Sequence, residues 1–113
     1  MLEARIQSDI VLYLQDKKIF CHSVPNEAAG NNAVRTMQLI AMGLRPGAAD
    51  LLVWWPLADG VRLGYVEVKN ERGTQSASQR KFQARCELSR IPYVVLRSVD
   101  ELKQYMESIG VTR

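Results

Sequence analysis

The chain has 113 residues, of which 47% are hydrophobic and 24% are charged, enough for one domain with a hydrophobic core. No apolar run approaches the roughly 20 residues that a membrane-spanning helix needs, and the first residues lack the basic-then-apolar order of a signal peptide. We therefore expect an intracellular protein that does not enter a membrane. The formal net charge of +3 permits a nucleic-acid partner but does not by itself indicate one.

The histidine and cysteine content argues against several kinds of site. His22 is the only histidine, so a zinc centre or a Ser-His-Asp triad is a poor fit. Cys21 and Cys86 are widely separated and form no metal-binding pair, and we expect both to be buried free thiols.

Hydrophobic periodicity and turn residues predict eight elements along the chain. In order, they are a helix over 2–17, a strand over 19–24, a helix over 33–43 capped by Asn31 or Asn32, strands over 51–55 and 61–69 joined by a loop over 56–60, a helix from Ser76 to about 90, a strand over 91–96, and a helix from Ser98 or Asp100 to 109. This order predicts a single α/β (α+β) domain over residues 1–113, with a mixed central sheet flanked by helices.

The apolar spacing also predicts the core. The strand over 51–55 is almost continuously apolar, which is typical of burial on both faces, so Trp54 and Trp55 are expected in the core rather than stacked on bases. The helical positions expected to face inward are Leu2, Ile6, Ile10 and Leu14; Val34, Met37, Ile40 and Ala41; Phe82, Cys86 and Leu88 or Ser89; and Leu102, Tyr105, Met106 and Ile109.

Three charged residues lie at the end of a predicted hairpin. Asp50 opens the first strand, a D-G pair marks the turn, and the returning strand ends in V-E-V-K. Because alternate strand residues share a face, Glu67 and Lys69 point the same way, and the hairpin brings Glu67 close to Asp50. Two carboxylates suit Mg²⁺, and an ammonium beside the metal can orient one of its waters. Together these residues predict a metal-dependent nuclease. The alternative is a solvated strand end with a weak ion pair.

Other polar residues have structural explanations of their own. Ser76 and Gln79 form an S-x-x-Q capping box, which by itself accounts for Gln79. Glu3 lies on a polar edge of the first helix and, on the residues alone, is expected to be solvated. The basic residues of the helix from Ser76, such as Arg80 and Lys81, are more often a solubility face than a DNA track.

An ordered set of residues makes the chain resemble the virus-type replication-repair nuclease (VRR-NUC) domain of the PD-(D/E)XK nuclease superfamily. The set is Glu3 on a first helix, then G-L-R-P-G-A-A-D-L, V-E-V-K and S-x-x-Q. An isolated E-x-K is common by chance, whereas the ordered set is specific and covers nearly the whole chain. One departure is visible: the superfamily name calls for proline directly before the aspartate, where this chain has Ala49, with Pro46 four residues before Asp50.

The resemblance implies a restriction-endonuclease-like PD-(D/E)XK core that hydrolyses DNA phosphodiesters with Mg²⁺ or Mn²⁺. Asp50, Glu67 and the backbone carbonyl of Val68 would bind the metal, and Glu3 would complete its shell directly or through water.

Catalysis and DNA binding are implied at further positions. Lys69 would be the catalytic lysine, acting with Asp50 and Glu67, and Gln79 would lie near the nucleophilic water or the phosphate. Basic side chains would contact substrate phosphates without reading bases, namely Arg45, Arg72, Arg80 and Lys81.

Stand-alone family members of phages and bacteria are similar to structure-selective endonucleases that act on branched DNA such as Holliday junctions, often as homodimers. The resemblance therefore implies that the partners are DNA and a second copy of the chain, and that the role is in DNA repair, recombination or replication. It also implies a cytoplasmic location in a bacterial or phage-infected cell and no organic cofactor. Two other functions stay open. One is a nucleic-acid-binding module that does not cut, which the presence of Asp50, Glu67 and Lys69 together disfavours. The other is a sequence-specific restriction-type endonuclease, which the lack of an obvious extra recognition domain disfavours.

Overall fold

The computed structural model describes residues 1–26 and 32–112, and within them the chain forms four helices and four strands. They are α1 (Glu3–Asp16), β1 (Cys21–Ser23), α2 (Ala33–Ala41), β2 (Leu51–Leu57), β3 (Gly60–Val68), α3 (Ala77–Leu88), β4 (Tyr93–Leu96) and α4 (Val99–Ile109). The predicted order and the mixed α+β architecture are confirmed. Within the described ranges, none of the helices has the length and apolar character that crossing a bilayer requires.

The four strands lie side by side in chain order. β1 and β2 pair antiparallel, as do β2 and β3, whereas β3 and β4 pair parallel. The parallel pair needs a crossover connection, which α3 supplies. The β2–β3 ladder runs from Leu57 opposite Gly60 to Leu51 opposite Val66. The chain positions just beyond this last pair are Asp50 and Glu67, so the hairpin brings both carboxylates to its open end.

One face of the sheet is covered by α1 and α4. Ile6, Ile10 and Leu14 recur at helical spacing on α1 and are buried, as are Leu102 and Met106 on α4. They pack with alternate strand residues, among them Val53, Trp55, Val66, Val68 and Leu96. The predicted inward stripes of these two helices are thus confirmed, except for Leu2, which precedes α1 and is exposed.

The opposite face of the sheet is covered only in part, which corrects the prediction for β2. Phe82 of α3 packs edge-on against Tyr65, with ring centroids 5.0 Å apart, and also contacts Tyr93. Farther along the same face, Trp54 is 42% exposed, while Trp55 points the other way into the core. β2 is therefore not buried on both faces, because the helical layer stops short of Trp54.

Helix α2 also differs from its prediction. Asn32 caps the helix by accepting a hydrogen bond from the backbone N–H of Arg35, while the alternative cap, Asn31, lies outside the described residues. The residues predicted to face inward are exposed instead: Val34, Met37, Ile40 and Ala41. Helical spacing determines which side chains share a face, but only the tertiary packing determines whether anything covers that face.

The strands end at other residues than the pattern predicts. β1 has only three residues, and Ile19 is a buried core residue that precedes it. The hairpin turn is shorter than predicted because β2 continues through Pro56 to Leu57. Pro56 is tolerated there since β1 pairs only with residues 51–53, so no strand of the described chain needs a backbone N–H from this position; the Pro56 carbonyl accepts from the N–H of Thr112 instead.

The predicted end of α3 and the predicted burial of the two cysteines are each wrong in part. Helix α3 ends at Leu88, so Leu88 and Ser89 are exposed rather than in the core. Cys86 is a buried free thiol as predicted, whereas Cys21 is free but only half-buried, because it lies on the short outer strand β1.

Candidate active site

The open end of the β2–β3 hairpin holds two carboxylates in fixed positions. Oδ2 of Asp50 accepts a hydrogen bond of 2.7 Å from the backbone N–H of Val68. Glu67 is on the neighbouring strand and is 1% exposed, while Val68 turns into the hydrophobic core as the strand alternation predicts. The structure thus brings Asp50 and Glu67 together.

Both oxygens of Glu67 are removed from bulk water but have different surroundings. Oε2 accepts a hydrogen bond of 2.9 Å from Nε2 of Gln79 and lies 3.8 Å from Nζ of Lys69. Among the described residues, Oε1 is buried and has no hydrogen-bond partner. Lys69 is itself only 8% exposed, so the alternative of a solvated strand end with a weak ion pair is wrong.

Burial raises the pKa of Glu67 to about 8, with a further contribution from the negative charge of Asp50 that the ammonium of Lys69 only partly offsets. In the metal-free protein the surroundings of Glu67 therefore favour the protonated form of its carboxyl. A buried carboxyl with an unpartnered oxygen beside a second carboxylate is a favourable place for a cation, which would replace that proton.

Gln79 fulfils its structural role and contacts the site at the same time. Its backbone N–H donates to Oγ of Ser76 and its Oε1 accepts from the backbone N–H of Ser76, so the predicted capping box is confirmed. This leaves the amide nitrogen free to donate to Glu67. Because a glutamine amide has both an acceptor and a donor, the helix cap and the site contact are made by one side chain.

Glu3 reaches the site from α1. It lines the same cavity of about 300 Å³ as Asp50, Glu67 and Gln79. Its Oε2 would lie 3.1 Å from a Cβ added to Gly73, in the turn that follows Lys69. Within residues 1–26 and 32–112, no three His, Cys, Asp or Glu side chains form a preassembled metal-binding cluster. Glu3 therefore lines the same cavity as Asp50 and Glu67 without forming a three-ligand cluster with them.

Asn26 is a site residue that the sequence reasoning missed. Its Nδ2 donates to the backbone carbonyl of Ala48 at 2.8 Å and to Oδ1 of Asp50 at 3.3 Å. It follows a proline after β1, a position where asparagine is ordinarily interpreted as a turn former. Nothing in its local pattern indicates a contact with a residue 24 positions away.

Gly47 is a second residue whose role the sequence did not reveal. It has a positive φ of 87°, and a Cβ added to it would lie 2.5 Å from the carbonyl carbon and oxygen of Ser78. The R-P-G segment is therefore more than a turn before Asp50. Its glycine allows the start of α3, and with it Gln79, to pack directly against the loop that leads into β2.

The four basic residues predicted to contact DNA are all exposed: Arg45, Arg72, Arg80 and Lys81. Arg80 and Lys81 directly follow Gln79 in the first turns of α3, and Arg72 lies in the turn after Lys69. Their positions in the chain next to site residues are compatible with contacts to substrate phosphates, and their role in DNA binding stays a prediction.

Comparison with known proteins agrees with the fold and the motifs. The model of the VRR-NUC domain family matches the chain over residues 2–100. Among solved structures, one described as a VRR_NUC domain protein superposes with a TM-score of 0.73 at 16% sequence identity, covering 97% of this chain and 91% of that chain. No curated protein matches the chain. The family match spans Glu3, Asp50, Glu67, Lys69 and Gln79, so the resemblance noted from the sequence is confirmed.

Proposed function

Because the chain belongs to the VRR-NUC family of nuclease domains, we propose that it is a metal-dependent, structure-selective DNA endonuclease. The nuclease-type function and DNA as the substrate follow from the family itself. Four points are proposals. They are the dependence on Mg²⁺ or Mn²⁺, the preference for branched DNA such as Holliday junctions, the roles of the individual residues, and the extent of a single nuclease domain over residues 1–113.

The observation that carries the proposal is the buried Glu67 carboxyl, which has one unpartnered oxygen and lies beside the partly buried Asp50. Asp50 and Glu67 provide hard oxygen ligands, and Oε1 of Glu67 has no protein donor to satisfy it. This donor set suits a divalent cation that retains several of its own waters, with the carbonyl of Val68 and the Glu3 carboxylate as further ligands. When bound, such a cation supplies a Lewis acid for the phosphate and lowers the pKa of a coordinated water.

The remaining site residues have distinct proposed tasks. Lys69 holds the attacking water and offsets the negative charge that develops on the phosphate, which a buried ammonium does more effectively than a hydrated one. Gln79 orients Glu67 through its amide hydrogen bond and borders the space for the nucleophile. Phosphates of the DNA backbone rest on the exposed basic residues Arg45, Arg72, Arg80 and Lys81, which makes binding depend on salt.

We propose that the functional unit is a homodimer in the cytoplasm and that no organic cofactor takes part. Two active sites related by a two-fold axis match two symmetric strands of a four-way junction. The exposed apolar face of α2, which includes Val34 and Met37, supports an association of this kind. Light scattering that finds only monomers at micromolar concentrations, with and without junction DNA, would contradict it.

Two other functions make different predictions. A binding module that does not cut would retain junction affinity but show no metal-dependent product, and the Asp50, Glu67 and Lys69 geometry argues against it. A restriction-type endonuclease would cut plain duplex at defined sequences, for which the described residues provide no added recognition domain.

The deciding experiment is cleavage of a labelled panel of duplex, single-stranded, flap and four-way-junction DNA. Each substrate is incubated with Mg²⁺, Mn²⁺ or EDTA, with wild type beside Glu67→Gln and Glu3→Ala. We expect metal-dependent cutting of the junction that Glu67→Gln abolishes, and weaker metal binding by Glu3→Ala in calorimetry. A folded, metal-bound wild type that cuts no member of the panel would contradict the proposal.

A further inference from the structure

We propose that Arg97 is a positioning residue for the cleavage reaction, holding the turn over residues 70–73 so that Glu3 and Lys69 keep their places at the site. The proposal rests on the proposed nuclease function. Arg97 belongs to none of the motifs discussed above, and it lies between β4 and α4.

The contact is a double hydrogen bond from one guanidinium nitrogen. Nη1 of Arg97 donates to the backbone carbonyls of Asn70 and Gly73, at 2.7 Å each. The turn closes on itself as well, because the N–H of Gly73 donates to the carbonyl of Asn70 and the N–H of Arg72 donates to Oδ1 of Asn70. Arg97 thus binds both ends of a compact turn through short, charge-assisted bonds.

Arg97 is fixed from its own side. Its backbone N–H donates to Oε1 of Glu101 at 2.9 Å, and the preceding carbonyl, that of Leu96, accepts from the N–H of Lys69 at 3.1 Å. The guanidinium therefore projects from a rigid junction of strand and helix. A side chain anchored in this way determines the position of whatever it binds.

The turn that Arg97 binds lies between two proposed site residues. A Cβ added to Gly73 would lie 3.1 Å from Oε2 of Glu3 and 3.3 Å from Cδ of Lys69. The Glu3 carboxylate and the stem of Lys69 therefore both border the space beside the Gly73 Cα, together with Oδ1 of Asn70 at 3.2 Å. If the turn moves away, Glu3 and Lys69 both lose a surface that borders them. Arg97 would therefore act on these two side chains through the turn and not by direct contact.

The test compares Arg97→Met, Arg97→Lys and, as a matched control, Arg62→Met. Arg62 also donates to a backbone carbonyl, that of Arg90 at 3.3 Å, but it lies toward the turn of the hairpin, away from the carboxylates. For each protein we would measure the melting temperature, the calorimetric Mg²⁺ affinity, and kcat and KM on the preferred DNA substrate.

We expect Arg97→Met to lower kcat by about 10- to 100-fold, since small displacements of catalytic groups have effects of this size, with a smaller rise in KM for DNA because Arg72 lies in the same turn. Its Mg²⁺ affinity should fall several-fold through Glu3. Arg97→Lys should recover part of both, because an ammonium can still donate to the two carbonyls. Arg62→Met should change neither.

A second variant tests the same idea while the hydrogen bonds of Arg97 to the turn stay intact. Gly73→Ala adds a methyl group against Glu3, Lys69 and Oδ1 of Asn70, and it should reproduce the loss of kcat and of Mg²⁺ affinity at a nearly unchanged melting temperature. Wild-type kcat in Arg97→Met, a loss confined to KM, or an equal loss in Arg62→Met would overturn the proposal. If wild type cuts no DNA at all, the nuclease proposal fails separately, and unchanged Mg²⁺ affinity in both Arg97→Met and Gly73→Ala would then overturn the positioning role as well.

Discussion

The two ends of the β2–β3 hairpin invert the usual distribution of side chains. At the open end, Glu67 and Lys69 are charged groups at 1% and 8% exposure, whereas toward the turn Trp54 and Leu63 are apolar residues at 42% and 45% exposure. Trp54 and Leu63 are cross-strand partners, so they form one continuous apolar surface. The two ends belong to the same ladder, so backbone pairing cannot explain the difference.

The open end of the hairpin lowers the stability of the fold. Burying a carboxyl without full hydrogen bonding destabilises a protein. At this end the Glu67 carboxyl is buried and its Oε1 has no hydrogen-bond partner among the described residues. Buried polar groups with a perturbed pKa are characteristic of functional sites, which is why the proposed active site is placed at this end. The exposed apolar end is compatible with the proposed homodimer, because apolar surface of this kind favours association.

The sharpest test of the comparison exchanges a carboxylate for its isosteric amide at each end. Glu67→Gln should reduce metal-dependent cleavage by about 1,000-fold or more, because it removes a ligand charge from the proposed metal site. Asp59→Asn, in the exposed turn, should leave cleavage within about twofold of wild type. Gel-based cleavage rates on the preferred substrate measure both, and comparable losses in the two variants would remove the distinction between the ends.

The second comparison removes one cation from each end of β3. Lys69→Ala should lower kcat by about 100-fold or more while Mg²⁺ affinity in calorimetry stays close to wild type, because the ammonium acts on water and phosphate rather than on the metal. Arg62→Ala, near the turn, serves as the control and should retain full activity. Unchanged cleavage by Lys69→Ala would remove Lys69 from the mechanism.

A third comparison separates backbone strain from contact with α3. Gly43 and Gly47 both have positive φ, of 110° and 87°, but an added Cβ meets nothing within 4 Å at Gly43 and the backbone of Ser78 at Gly47. Gly47→Ala should lower cleavage by roughly 10- to 100-fold by displacing Gln79 from the site, whereas Gly43→Ala should lower only the melting temperature. Equal cleavage by the two variants would show that the approach to α3 does not matter for activity.

The last comparison concerns the pH dependence of stability without metal. The pKa of Glu67 is about 8 in the folded protein against an ordinary value of 4.5, so the folded state retains a proton that the unfolded state has lost between these values. The free energy of unfolding should therefore fall as the pH rises from about 4.5 to about 8 and change no further above that. Denaturant titrations in EDTA would measure this.

Glu67→Gln is the reference for that titration, because glutamine carries no proton to lose. Its stability should lack this fall, and saturating Mg²⁺ should reduce the fall in wild type by favouring the ionised carboxylate. A wild type whose stability follows the same pH profile as Glu67→Gln would show that Glu67 is ionised in the folded protein.

The parts of the fold that could be predicted are those encoded over short distances. The stripe of Ile6, Ile10 and Leu14 predicted α1, and the S-x-x-Q spacing predicted the cap at Gln79. Failures occurred where a prediction needed to know what lies above a surface. Met37 and Trp54 satisfy the patterns of buried residues, yet both are exposed because no neighbouring element of the described chain covers them.

The sequence by itself determined the order of elements and the meeting of Asp50 with Glu67, because strand alternation and hairpin pairing involve residues less than twenty positions apart. Only the tertiary structure placed Asn26 on Asp50, Gly47 against Ser78 and the guanidinium of Arg97 on the turn after Lys69. Those contacts depend on how separate elements dock, and docking is decided by the packing of the whole core, which no local pattern of residues records.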